Sequence, residues 1–249
     1  MKMRSLMSRI SLHSVFGFAA FLLLAPSFVI AQGKGDATTR IAEIPTYRVG
    51  GMSIAIPVPA SDLIEMGQDY RVIMEVSVPE QNRLVAAFVL PDDLAVIKSG
   101  GKYRLSKYAL IEVSRSVEFT NFSTKDFKDF SDSANRELGN VLTSSTKEIE
   151  EEVNRRVKAL NLDDKVSFDK PISLGCFFSK QDAFASGMLL SVTMQGVTKN
   201  MINVSAILRV RNRAIFVYIY AVYEDQDSLK WVQKTTEDWA DAILKANEQ

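Results

Sequence analysis

Apolar and polar positions change rhythm three times along this sequence. A nearly unbroken apolar stretch covers residues 15–31, and a polar segment follows to about residue 51. Ser53-Ile54-Ala55-Ile56 then reads as a short strand stopped by Pro57 and Pro59, since proline gives no ladder donor. Residues 70–78 and 84–90 are β-rich runs around Pro79-Glu80-Gln81-Asn82-Arg83, which together predict a β-hairpin. Pro91-Asp92-Asp93 opens a short helical turn that Ser99-Gly100-Gly101 closes, and 108–119 is a further strand.

The middle of the sequence moves to helical spacing. Phe127, Phe130, Ala134, Leu138 and Val141 recur every three or four residues, as do Ile149, Val153, Val157 and Leu160. Ser123 with Asp126 three residues on is an N-terminal signal. Gly139 and Thr143-Ser144-Ser145 are expected to divide two helices, near 124–138 and 145–160, with Asn161 and Asp163 stopping the second. The last third returns to strands at 172–178, 183–195, 202–210 and 214–223. The polar Arg211-Asn212-Arg213 between the last two marks a hairpin. A closing helix, capped by Asp227 or Ser228 and ended by Asn247, aligns Leu229, Val232, Thr236, Trp239, Ile243 and Leu244.

Strands joined by short turns pair antiparallel, and segregated helices pack on their faces. The expected fold is therefore α+β: a mainly antiparallel sheet with helices packed on it, an α/β/α sandwich. No Pro/Ser/Gly-rich linker divides it, so residues 52–249 should form a single domain after a flexible segment at 32–51.

Residues 1–31 read as a secretory signal peptide. Lys2, Arg4 and Arg9 precede the apolar run without any acid, Pro26-Ser27 break it, and Val29 and Ala31 stand at the −3 and −1 places. An uncleaved anchor is the alternative, but Gly17, Pro26 and Ser27 interrupt a stretch that would need ~20 apolar residues to span. The expectation is an exported, periplasmic or secreted protein with no membrane span after cleavage.

Removing 31 residues from 249 leaves 218, enough for one well-buried core. Three basic residues leave as well, so 27 Lys and Arg face 30 Asp and Glu. No basic excess points to nucleic acid. The sole histidine, His13, lies in the leader. The exported protein thus has no Ser-His-Asp or Cys-His nucleophile system and no His-ligated metal. Cys176 is the sole cysteine, so an internal disulfide is impossible; its apolar setting reads as a small buried side chain. No cofactor fingerprint or metal-ligand spacing occurs.

The Ser53-Ile54-Ala55-Ile56-Pro57 strand, the central hairpin at 202–223 and the closing helix at 229–247 with Trp231 and Trp239 together resemble the PsbP-like α/β/α sandwich over roughly residues 50–247. The resemblance implies a non-enzymatic accessory or binding protein and assigns no functional residue.

Acidic clusters have plain structural accounts. Glu150-Glu151-Glu152 lies on a helix with Arg155 and Arg156 in favourable i,i+4 positions. Asp92-Asp93 and Asp163-Asp164 sit at helix ends. Candidate binding residues are Arg209, Arg211 and Arg213 at the hairpin tip, for an anion or headgroup, together with Tyr218, Tyr220 and Trp231. Core packing of both faces of the Phe216–Tyr220 segment is the competing account of the tyrosines. The resulting expectation is a non-enzymatic domain binding a partner protein or envelope component. The alternative is a carboxylate-dependent extracytoplasmic hydrolase, whose acid pair needs no fixed sequence spacing.

Overall fold

A computed structural model describes residues 44–75, 78–101, 105–144, 146–159, 165–194 and 196–248. The expected leader and Asp163-Asp164 lie outside the described residues.

The sheet is organised around one strand that is buried along nearly its whole length. We number strands and helices in sequence order: β1 (Thr46–Val49), β2 (Met52–Ala55), β3 (Ile64–Glu65), α1 (Gln68–Glu75), β4 (Asn82–Val89), α2 (Pro91–Lys98), β5 (Lys107–Ser114), α3 (Thr124–Ser144), α4 (Thr146–Ala159), β6 (Val166–Phe168), β7 (Ile172–Lys180), β8 (Ala183–Met194), β9 (Val197–Val210), β10 (Arg213–Val222) and α5 (Gln226–Ala246). Eight strands join in the order β3-β4-β5-β10-β9-β8-β6, with β7 also paired to β8, and every pairing is antiparallel. β10 lies between β5 and β9, with Val217 opposite both Ile111 and Ala206.

Alternation along β10 separates two cores. Phe216, Tyr218 and Tyr220 join Met74 of α1, Leu94 and Ile97 of α2, Phe127, Phe130 and Ala134 of α3 and Val153 of α4. Ile215, Val217 and Ile219 join Val232, Trp239, Ala240 and Ile243 of α5, with Val49 and Ile54 of the β1–β2 ribbon. The sheet is therefore covered on both faces, and the fold is the α+β sandwich expected from the pattern. A strand buried on both sides reads as a continuous apolar run.

Three expectations need correction. Residues 70–78 do not form a strand paired with 84–90, because 68–75 are helix α1 and β4 pairs instead with β3 and β5. Tyr70, Ile73 and Met74 fall on one helical face against the core while Val72 is exposed, a period obscured by β-branched composition. Gly139 does not divide the helices, since α3 continues to Ser144. Residues 46–51 are not a flexible lead-in: β1 pairs with β2 around Gly50-Gly51, whose positive φ values of 53° and 83° suit a tight turn.

Polar side chains close the helix ends. Ser123 Oγ accepts the Asp126 N–H at 3.1 Å, and the Asp126 carboxylate accepts the Ser123 hydroxyl at 2.7 Å. α5 is capped by Asp225, earlier than the expected Asp227 or Ser228, and it accepts the N–H groups of both those residues at 2.9 Å each. At its other end Asn247 is the cap.

Candidate functional site

The three hairpin arginines hold the fold together. Arg211 and Asn212 make the turn with φ of 48° and 62°, the left-handed pair that a two-residue hairpin needs. Arg209 Nε donates to Asp182 at 2.7 Å, while its other nitrogens reach Asn212 Oδ1 at 2.6 Å and Thr124 Oγ1 at 3.0 Å. Arg211 donates to the Ser53 carbonyl at 3.0 Å. Arg213, buried, donates to the Gly50 carbonyl and to Asn121 Oδ1. Arg209 and Arg213 are committed to backbone and side-chain acceptors that fasten neighbouring loops to the hairpin, while Arg211 is tethered by a single bond.

Tyr218 and Tyr220 are likewise inside. Both are at most 1% exposed, and the Tyr220 ring stacks on Tyr108 at 4.5 Å. They are core, not the wall of an open pocket. Trp231 is half-buried against the second core, with Lys107 Nζ 4.4 Å from its ring centre and Asp62 3.4 Å from the same ammonium. Cys176 departs from its expected burial. It is exposed on β7, whose pairing with β8 is interrupted by two bulges.

The carboxylate clusters take structural positions. Glu150 accepts the Phe168 N–H at 3.2 Å, and Asn154 exchanges bonds with the Val166 backbone at 2.7 and 2.8 Å, docking α4 on β6. Asp93 lies in the first turn of α2, which has no side-chain cap. Burial raises the Asp93 pKa above the ordinary aspartate value, opposed by a hydrogen bond from the Ser106 backbone. Among the described residues no group of three or more Cys, Asp or Glu is placed to hold a metal ion.

Sequence reasoning missed a different site. A cleft of about 670 Å³ lies between α1, the turn before β4 and the end of β5, lined by Arg71, Glu75, Glu80, Asn82, Arg83 and Arg115 among others. Antiparallel pairing of Asn82 with Ser114 and of Arg83 with Val113 brings these distant segments together. Arg83 is ion-paired with Glu118 and donates to the Arg48 carbonyl at 2.9 Å. Arg71 Nη2 reaches the Leu84 carbonyl at 3.4 Å, and Arg115 Nε the Asn82 carbonyl at 3.0 Å. Asn82 Nδ2 donates to buried Glu112 at 2.8 Å behind the cleft wall. Partial burial acts to raise the pKa of Glu118. The Arg83 hydrogen bond, the Gly50 N–H and the charges of Arg83 and Arg115 outweigh that effect and hold it below the usual glutamate value.

Phe119, the residue after Glu118, is 74% exposed. Its loop is pinned by the Thr120 N–H to the Val117 carbonyl at 2.9 Å and by the Phe122 N–H to the Asn212 carbonyl at 2.9 Å. Val72, adjacent to Arg71, is 60% exposed.

No family model matches the protein, and no curated protein matches it. Among solved structures it is similar to a mutant of the protein Mog1 at 12% identity and a TM-score of 0.28, over 80% of this protein and 90% of that one. A likeness at that score carries no argument about function. Among the described residues no helix is long and apolar enough to cross a membrane.

Proposed function

We propose that this protein is an exported, non-enzymatic domain that binds a partner protein or envelope component, with the exposed ring of Phe119 as a contact residue. The leader supports export. The observation that carries binding is Phe119. A singly exposed apolar side chain is ordinary on a protein surface. This one is a large aromatic on a loop fastened from both sides, directly after the Glu118 that pairs with Arg83, and Phe and Arg are enriched at interfaces. A rigid loop loses little entropy on binding, which favours recognition. The PsbP-like resemblance points to the same class of role.

A carboxylate-dependent hydrolase is the weaker reading. Glu75 and Glu80 line the cleft but both are exposed, so neither has the apolar surroundings that tune a general acid.

The test is mild cross-linking in the native envelope, followed by purification of the wild-type protein and of Phe119→Ser. One component enriched with the wild type and depleted with Phe119→Ser is the expected result. Recovery of monomer alone from the wild type would sink the binding reading.

A further inference from the structure

We propose that the sheet face packed against α1–α4 holds an internal site for one ordered water, bound between Ser186 of β8 and Asn203 of β9; this is independent of the binding reading above. Strand register brings the groups together. Ser186 lies opposite Ser205 and Met188 opposite Asn203, while Ser205 and Asn203 face Tyr218 and Tyr220 across the other edge of β9. Phe184, Met188, Tyr218 and Tyr220 belong to the first core, so Ser186, Asn203 and Ser205, which share their face, point into it as well.

These polar groups are not all satisfied by the protein. Ser186 and Asn203 are each 1% exposed and Ser205 is 2% exposed. The Ser205 hydroxyl donates to Asn203 Oδ1 at 3.2 Å, but Asn203 Nδ2 and Ser186 Oγ meet no hydrogen-bond partner among the described residues. Turning the amide over would leave its oxygen unmet in place of its nitrogen. A buried polar atom without a partner forfeits the bond that it makes to solvent in the unfolded protein, so such atoms pair with the protein or with ordered water.

The chemistry of the site selects water. None of the three groups carries a charge, so an ion here would lose its hydration without a counter-charge. The two serines form a dip between the Phe184–Ile207 pair and the Met188–Asn203 pair, and a dip one residue pair wide suits a molecule of water's size. Diagonal neighbours on one face stand ~7–8 Å apart along the backbone and closer at their side chains, a gap that two hydrogen bonds through one water can span. Water accepts from Asn203 Nδ2 and bonds Ser186 Oγ, and a lone pair of Ser205 Oγ is a third partner. A buried water needs two to four such partners.

A high-resolution crystal structure of the full exported protein tests this directly. One ordered water within hydrogen-bond distance of both Asn203 Nδ2 and Ser186 Oγ is expected. A protein group bonded to Asn203 Nδ2, a larger molecule, or no density between the two atoms would overturn the assignment. In solution, water-oxygen magnetic relaxation dispersion counts the waters held inside a protein. Ser186→Val, which fills the dip with methyl groups, should hold one fewer than wild type. Ser186→Ala is the milder variant if valine prevents folding, and it should shorten the residence time of that water by roughly tenfold, the loss of about one hydrogen bond. A count and a residence time unchanged from wild type would refute the site.

Discussion

Arg213 reaches across the fold to grip a single backbone oxygen, its Nε and Nη2 donating to the Gly50 carbonyl at 3.2 and 3.0 Å. The residues are 163 positions apart. The contact fastens the turn of the β1–β2 ribbon to the start of β10. Gly50 is required there for two reasons: its φ is +53°, and a Cβ would overlap the Glu118 carbonyl oxygen and the Arg213 side chain. Gly50→Ala should therefore cost about 2 kcal/mol or more. Arg213→Ala should cost about 1–3 kcal/mol by leaving buried acceptors unmet. Urea unfolding measures both, and a loss below about 0.5 kcal/mol in either would contradict this account.

Asn247 joins the last helix to the first ribbon. Its Oδ1 accepts the Ala55 N–H at 2.9 Å and its Nδ2 donates to the Ala55 and Ile243 carbonyls at 2.8 Å each. It therefore pairs with Ala55 as a strand neighbour would, while closing α5. Asn247→Ala should lower stability by about 2 kcal/mol. Amide exchange at Ala55 should accelerate, because that N–H loses its acceptor; unchanged protection there would refute the link.

Glu118 makes the fold acid-sensitive at one contact. Its folded pKa is depressed, so its contribution is fully present above the ordinary value of 4.5 and is lost as pH falls through the lower folded value. Below that point the carboxyl is neutral, and its ion pair with Arg83 and its hold on the Gly50 N–H weaken. Glu118→Gln should be less stable than wild type at neutral pH, and the gap should narrow as pH falls below about 4. Thermal unfolding of both proteins from neutral to acid pH gives the comparison. Parallel curves would show that Glu118 carries no linkage.

Gly187 leaves room for one ring. A Cβ at this position would overlap Phe177, which projects from the bulged part of β7. Gly187→Ala should destabilise by about 1–3 kcal/mol through overpacking. In the Phe177→Ala background the same change should cost much less, since the obstructing ring is gone. A double-mutant cycle reads this coupling directly, and additive losses would contradict it.

The last strands and the Ser123 cap were legible because they depend on local chemistry. The run from Ile215 to Ala221 is apolar at every position, which only a strand covered on both faces tolerates. Ser123 and Asp126 satisfy helix-end N–H groups within three residues. Helix α1 was obscured because Val72 and Ile73 favour strands intrinsically, whereas packing of Tyr70 and Met74 on the sheet decides the matter. The hairpin arginines were visible as a cluster but not as tethers, because their acceptors at Gly50, Ser53, Asn121 and Asp182 lie far away in sequence.

The amino-acid sequence alone determined the layered antiparallel fold, a hairpin at Arg211-Asn212-Arg213 and a chemistry without histidine beyond residue 13, since these follow from periodicity, backbone preference and composition. Only the tertiary structure decided which charges are spent and which are left over. Pairing Arg83 with Glu118 and anchoring Arg71 and Arg115 on β4 depends on strand register and helix placement. A side chain's availability for function is fixed by its neighbours in space, and those neighbours come from segments that meet only on folding.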